Sequence, residues 1–309
     1  LAEQYRTGTG VQRDPARAVE LYRQAAEQGN AAAQMRLGQA YLLSIGLPRD
    51  VTAALGWLRA AARQENAEAL FILSGVYATG EGVERDDDFA WQLGQRAAAL
   101  GEPRAAATVG SRFLYDASVR DVPKGLHYLH ESAQANEPLA AYLLGLEYLR
   151  GTHVPRDPGS SVHWMSQAAR SRIPAASLLL SVLYAKGIGV EPDAARAAEL
   201  LDAGLAKATP SEQNSFAWTL ATDADGELRD GALAVRIMEQ LTAEPSQRSA
   251  AYLDTLAAAY AEAGQFDAAV RAQTQAIEAL RPTVTAAQRE DYEGRRALYQ
   301  GRNPYLEPQ

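Results

Sequence analysis

The chain has 309 residues, of which 47% are hydrophobic and 22% charged, a composition typical of ordered globular proteins. It contains no cysteine and only four histidines, which excludes disulfide bonds, thiolate metal sites and thiol nucleophiles. We therefore expect no metal site and no cofactor. A formal net charge of -8 argues against nucleic acid as a partner. The sequence contains no run of about 18 apolar residues, so we expect no transmembrane segment.

Aromatic residues recur at a nearly constant spacing through the first two thirds of the chain. Successive members lie 35 or 36 residues apart, at Tyr5, Tyr41, Tyr77, Phe113, Tyr148 and Tyr184. Aspartates keep the same phase at Asp14, Asp50, Asp86, Asp121, Asp157 and Asp193. Several independent columns with one period indicate a repeat architecture.

Each repeat is predicted to form two helices joined by a glycine turn, and none of them shows the alternation of a strand. The small residue after the first-helix leucine, such as Gly38, permits close approach of another helix. In the turn, Gly82 can supply a positive φ, and Asp86 follows where an N-cap would accept free N–H groups. The fourth repeat departs from this pattern because Ser118-Val119-Arg120 replaces the glycines.

The order Leu-Gly, Tyr, Gly-x-Gly-Val, Asp, Ala, Trp and Ala-Ala resembles the Sel1-like repeat, a relative of the tetratricopeptide repeat. The segment from Gly80 to Gly101 is nearly complete, and the segment from Gly187 to Ala203 is another match. The resemblance covers about residues 1–208, with the first repeat incomplete. It implies an all-α fold, a right-handed α-solenoid superhelix of stacked antiparallel helix pairs.

The pattern changes after Pro210. Residues 211–245 are predicted to form a looser helix pair, and residues 249–280 have the spacing of an ordinary tetratricopeptide unit. A final helix over about 285–299, ending before Gly301, is expected to cap the stack. We thus expect Sel1-like repeats over 1–208 and tetratricopeptide-like repeats with a capping helix over 209–309, continuous with the solenoid.

The first helix of each pair lines the concave surface in the family that the sequence resembles. Carried over position by position, this implies a groove for a protein partner, which would be a helix or an extended segment with apolar anchors and acidic flanks. Phe71 and Tyr142 are the preferred anchors. The partner-binding residues expected in the groove are Met35, Gln39, Phe71, Arg104, Tyr115, Tyr142, Leu146, Arg150, Leu178 and Lys186.

No catalytic constellation emerges from the sequence. The pair Gly80-x-Gly82 lacks the preceding strand and third glycine of a nucleotide-binding fingerprint. His127 and His130 share a helix face, and His163 occupies the repeat position of His127, but two exposed faces carrying histidine explain them better than a metal site does.

The leading functional prediction is a non-enzymatic interaction scaffold or adaptor. The resemblance implies bacterial roles in signalling, envelope assembly, host interaction or secretion, and it includes immunity proteins that bind secreted toxic effectors. One alternative is a regulatory or anchoring repeat region of a larger protein or envelope complex, and a remote one is a metal-binding enzyme. The absence of cysteine is compatible with a periplasmic or envelope location, which we favour over a cytoplasmic one.

Overall fold

The computed structural model describes residues 1–307, which contain helices, turns and no strand, so the predicted all-α solenoid class is confirmed. The helices, in chain order, are α1 (Ala2–Thr7), α2 (Pro15–Glu27), α3 (Ala31–Leu43), α4 (Val51–Arg63), α5 (Ala67–Thr79), α6 (Asp87–Ala99), α7 (Pro103–Tyr115), α8 (Val122–Gln134), α9 (Pro138–Arg150), α10 (Pro158–Arg170), α11 (Pro174–Lys186), α12 (Ala194–Leu205), α13 (Pro210–Thr222), α14 (Gly231–Ala243), α15 (Ala250–Glu262), α16 (Phe266–Glu278) and α17 (Ala286–Gln300). A short 3-10 helix spans Pro245–Gln247. None of the helices within residues 1–307 is long and apolar enough to cross a membrane.

The chain divides into two compact units. Unit 1 runs from Leu1 to Pro155, and unit 2 begins at Arg156. In each unit, most helices that follow one another along the chain pack together, for example α3 with α4 and α11 with α12. We call α1, α3, α5, α7 and α9 the first helices of unit 1, and α2, α4, α6 and α8 its second helices. In unit 2, α10 and α12 are also called second helices, because each follows one of the recurring aspartates. The change of repeat type expected near Pro210 stays a prediction.

The recurring aspartates begin the second helices, as predicted. Each has an extended or near-extended backbone, and its carboxylate accepts a hydrogen bond from a backbone N–H two or three residues later. The six N-caps are Asp14, Asp50, Asp86, Asp121, Asp157 and Asp193. Because a cap of this kind contributes about 1 kcal/mol, the aspartate column fixes where each second helix starts.

Glycine has two separate tasks in the repeats. In the third repeat's turn, Gly82 has φ 71° and so adopts the left-handed conformation expected from the sequence. Inside the helices, glycine allows close packing: a Cβ on Gly110 of α7 would lie 2.9 Å from the carbonyl oxygen of Gly125 on α8. The prediction that small residues let paired helices approach closely is therefore confirmed at this pair.

The core of unit 1 is built from alanines and leucines of both helix sets. Leu58 and Ala61 of α4 and Leu73 of α5 are buried in one cluster, together with Phe113 of α7. The alanine keeps the helix axes close, and the leucines fill the remaining space, as dense packing requires. The side chains of the first helices that do not enter this core form the surface described next.

Candidate interaction surface

Charged side chains connect the first helices of unit 1 in a row of alternating sign. Glu3 of α1 accepts a hydrogen bond from the Nε of Arg36 on α3 at 3.2 Å, and the Nη1 of Arg36 lies 3.0 Å from the Oε1 of Glu68 on α5. The same Oε1 atom lies 3.4 Å from the Nη2 of Arg104 on α7. This charge ladder (Glu3, Arg36, Glu68 and Arg104) places the first helices of the first four repeats on one face of unit 1.

Two predicted groove residues, Phe71 and Arg104, contact each other on this face. The guanidinium carbon of Arg104 lies 4.9 Å from the centre of the Phe71 ring, within the range of a cation–π contact. Arg104 also donates to the buried Glu102, whose carboxylate is 2.7 Å away. With carboxylates of Glu68 and Glu102 beside it, Arg104 is a paired cation, and Phe71 is the apolar element of this part of the surface.

A pocket of about 450 Å³ opens at the ends of α7 and α9. Three of the predicted groove residues, Tyr115, Leu146 and Arg150, come together in it. The full set of lining residues is Leu114, Tyr115, Arg120, Leu143, Leu146, Glu147, Arg150, Thr152 and His153. We call it the α7–α9 pocket.

Glu147 organises the floor of the α7–α9 pocket. Its side chain is only 3% exposed, and its Oε1 accepts the Tyr115 hydroxyl at 2.5 Å. Its Oε2 accepts the backbone N–H of His153 at 3.1 Å and lies 3.0 Å from the imidazole Nδ1 of the same residue. Burial and the Glu147 carboxylate both raise the pKa of the Tyr115 phenol, so the hydroxyl keeps its proton and donates. The three side chains thus hold one another in place.

Arg120 and Arg150 give the pocket a positive rim. Both side chains are exposed, and neither forms an ion pair with any carboxylate of residues 1–307. The apolar side chains of Leu143 and Leu146 lie beside them. Because a guanidinium matches the planar geometry of a carboxylate, the pocket combines an apolar wall with two donors suited to an acidic group.

The sequence analysis missed several lining residues of the α7–α9 pocket, among them Arg120, Leu143, Glu147 and His153. Glu147 stands immediately before the aromatic column, where other repeats have Ala40, Val76 and Leu183. His153 stands where the turns of other repeats have a second glycine, such as Gly82. Glu147 and His153 each differ from the residue type found at their position in other repeats, and in the structure they contact each other. A search for breaks in the repeat pattern would have found them.

Two of the expected groove residues are buried, and their assignment to an open surface was wrong. Met35 is 3% exposed and packs in the core of unit 1, while the adjacent Arg36 takes the surface position. A step of one residue turns a helix by about 100°, so a register one position out exchanges surface for core. Leu178, which is fully buried, packs so closely against α12 that a Cβ on Gly204 would lie 2.8 Å from its Cγ.

The remaining expected residues lie at or near the surface. Gln39 is half-buried beside the charge ladder, where its Oε1 accepts the Nη1 of Arg36 at 3.2 Å. Tyr142 is half-buried on α9. In unit 2, the ammonium of Lys186 is exposed but donates to the backbone carbonyl of Arg229 at 2.6 Å. Their role in binding a partner stays a prediction.

The histidines on α8 do not assemble a metal site. The Nε2 of His127 lies 3.5 Å from the Oε2 of Glu131, and both side chains are exposed. Across residues 1–307, no group of three histidine, aspartate or glutamate side chains is arranged to hold a metal ion.

Comparisons with known proteins agree with this architecture. The Sel1 repeat family model matches residues 1–30, 31–66, 67–102, 104–137, 138–172 and 174–204. A Sel1 repeat protein from Oxalobacter formigenes is 32% identical over 67% of this chain and 85% of its own, with a TM-score of 0.61. The protective antigen c5321 of uropathogenic Escherichia coli, which has the SLR fold, is 24% identical over 99% of this chain and 65% of its own, with a TM-score of 0.63.

A third solved structure, the immunity protein Pa5087 from Pseudomonas aeruginosa, is 19% identical over 66% of this chain and 81% of its own. Its TM-score is 0.47. The comparison with curated proteins gave no match. Because the six matched segments cover more than half of the sequence, the chain belongs to the Sel1 repeat family.

Proposed function

We propose that this protein is a non-catalytic interaction module and that the α7–α9 pocket of unit 1 binds a segment of a protein partner. Sel1 repeat proteins typically mediate protein–protein contacts. The partner segment presents an apolar side chain to Leu143 and Leu146 and an acidic side chain to Arg120 and Arg150. The charge ladder and Phe71 extend the contact surface along the first helices toward α1.

The observation that carries this proposal is the pair of arginines on the pocket rim that lack a carboxylate partner within residues 1–307. Elsewhere on the first-helix face, cations such as Arg36 and Arg104 are already paired. In a chain with net charge -8, two neighbouring unpaired guanidinium groups form a local positive region. An acidic ligand is therefore attracted here while it is repelled by the protein as a whole.

A selection experiment tests the proposal. Random short peptides displayed on phage are selected against the natural chain, and the affinity of the enriched peptide is measured by titration calorimetry. We expect an apolar residue flanked by acidic ones. The double variant Arg120→Ser/Arg150→Ser is expected to bind this peptide at least about tenfold more weakly, because hydrogen bonds between charged groups contribute about 1.5–3 kcal/mol.

The matched control removes two positive charges at other positions of unit 1. Arg13 and Arg63 are exposed and lie outside the pocket, so Arg13→Ser/Arg63→Ser keeps the affinity of the natural chain. If both double variants weaken binding equally, only overall charge matters and the pocket assignment fails. Enriched peptides that bind the Arg120→Ser/Arg150→Ser variant as well as the natural chain would also refute it.

A further inference from the structure

The chain turns after α17, and the residues that follow contact α13 and α17. Arg302 has a positive φ of 56°, and the backbone N–H groups of Gly301 and Asn303 close the helix end on the carbonyls of Ala297 and Leu298, each at 3.0 Å. Residues 303–307 follow as a non-helical segment. We call this segment the tail.

An aromatic cluster around one guanidinium group holds the middle of the tail. The guanidinium carbon of Arg295 on α17 lies 4.8 Å from the ring centre of Tyr292, 5.4 Å from that of Tyr305 and 5.9 Å from that of Trp218. Tyr305 of the tail also contacts Trp218 of α13 directly, with ring centres 5.8 Å apart. A cation facing several rings is a recognition element for an aromatic side chain.

Two hydrogen bonds hold the end of the tail. The backbone N–H of Glu307 donates to the carbonyl oxygen of Thr222, the last residue of α13, at 2.9 Å. The carboxylate of Glu307 accepts the indole N–H of Trp218 at 3.1 Å. Carbonyls in the last turn of a helix lack intrahelical partners, so this position offers an acceptor to any extended backbone that reaches it.

The receiving site is anchored independently of the tail. The Nε of Arg295 lies 2.8 Å from the Oδ1 of Asp254 on α15, and their side chains are only 13% and 8% exposed. Gln273 of α16 donates to the same Asp254 oxygen at 2.7 Å. These contacts, which involve no atom of the tail, hold the guanidinium in place.

The tail itself contributes nothing to the buried core. None of residues 301–307 is buried, and the side chain of Leu306 is 42% exposed. Segments held by a few surface contacts open at a small fraction of the global free energy of unfolding. The tail thus has the properties of a bound peptide that is attached to its own receptor.

We propose that the surface formed by Trp218, Arg295 and the Thr222 carbonyl is a peptide-binding site, separate from the α7–α9 pocket, which the tail occupies in cis. Its partner is an extended protein segment with an aromatic residue two positions before an acidic residue, the spacing of Tyr305 and Glu307. The tail competes with that partner and restricts binding to segments that outcompete it.

The test uses a fluorescent synthetic peptide with the sequence of residues 301–307 and the full chain carrying Tyr305→Ala/Glu307→Ala. This double variant releases the tail, and we expect it to bind the peptide at least about tenfold more tightly than the natural chain, because a tethered segment competes at an effective concentration of about millimolar. Leu306→Ala is the matched control. Since the Leu306 side chain is exposed, this variant keeps the weak binding of the natural chain.

Three results would overturn the proposal. The first is that the double variant, folded by circular dichroism, binds the peptide no better than Leu306→Ala does. The second is that the double variant loses its helical signal, because the tail would then be part of the fold instead of a ligand. The third is a concentration-dependent dimer of the natural chain that the double variant abolishes, because the tail would then occupy a second copy.

A peptide with alanine in place of its tyrosine is expected not to bind.

Discussion

Glu147 is the buried carboxylate that ties the turn after α9 to the end of α7. Replacing it with alanine leaves the Tyr115 hydroxyl and the His153 backbone N–H without their acceptor. Donors that lose a buried partner cost about 1–3 kcal/mol. We therefore expect Glu147→Ala to lower the free energy of unfolding by that amount, measured by urea denaturation followed by circular dichroism.

The control for this substitution is Glu84→Ala. Glu84 is exposed in the turn before α6, so its removal is expected to change the free energy of unfolding by less than about 0.5 kcal/mol. Equal effects of the two substitutions would mean that Glu147 does not organise the pocket floor.

Alanine substitutions distinguish the turn glycines of unit 1, which have a positive φ, from glycines inside its helices. Gly82 has a positive φ and faces Val51, so Gly82→Ala is expected to lower the free energy of unfolding by at least about 1–2 kcal/mol. Gly56 lies inside α4, where an added Cβ meets nothing within 4 Å. Gly56→Ala is expected to raise the free energy of unfolding by up to about 1 kcal/mol. A melting series in which both changes shift stability in the same direction would contradict this assignment.

The burial of individual side chains could be predicted only in part from the sequence. The period predicts that α3 has a buried stripe and an exposed one, but it does not state which of Met35 and Arg36 faces the core. That choice depends on the rotation of the helix against its neighbours, which tertiary packing sets. Glu147 and His153 were missed for a different reason. The columns describe what the repeats share, whereas these two residues of the fifth repeat both depart from their columns.

At the scale of elements, the turn between α7 and α8 shows how the fourth repeat replaces glycine. Asp116 ends α7, and its carboxylate accepts the side-chain hydroxyl of Ser118 at 2.6 Å and the backbone N–H of Ser118 at 2.9 Å. The Nε of Arg112 lies 3.0 Å from its other oxygen. An aspartate-anchored turn does not need the positive φ that Gly82 supplies elsewhere.

The same contacts make the stability of this turn depend on pH. The hydrogen bonds from Ser118 and Arg112 lower the pKa of Asp116 from the ordinary 3.8 to about 2. Because the folded-state pKa is the lower one, the stabilisation is present above about pH 4 and is lost as the pH falls toward 2. We expect the difference in melting temperature between the natural chain and Asp116→Asn to shrink between pH 5 and pH 2. A difference that stays constant over this range would show that the carboxylate charge does not hold the turn.

Elements were the most predictable scale. The aspartate column gave the start of every second helix through α12, because an N-cap is a local interaction between a side chain and the next turn of backbone. The expected final helix over about 285–299 corresponds to α17. The tail after it was outside the reach of the repeat pattern, because its contacts with Trp218 and Thr222 join residues that are far apart in sequence.

At the scale of the whole molecule, the net charge does not describe how charged side chains are distributed over the surface. The net charge of -8 is an average over a surface on which most arginines of unit 1's first helices are paired with carboxylates. Arg120 and Arg150 of the α7–α9 pocket have no carboxylate partner among residues 1–307. If an acidic segment binds there as we propose, attraction by the two arginines favours its binding. We therefore expect the affinity of the selected peptide, measured by titration calorimetry, to fall as ionic strength rises.

The most direct measurement of the central claim is hydrogen–deuterium exchange of the natural chain with and without the peptide selected against it. If the first-helix face of unit 1 is the binding surface, bound peptide slows exchange in residues 112–122 and 142–154, which contain the pocket lining at the ends of α7 and α9. Exchange in α4 and α6 stays unchanged. Slower exchange confined to the second helices α4, α6 and α8 would contradict the claim, because the partner would then bind a different face of the repeats.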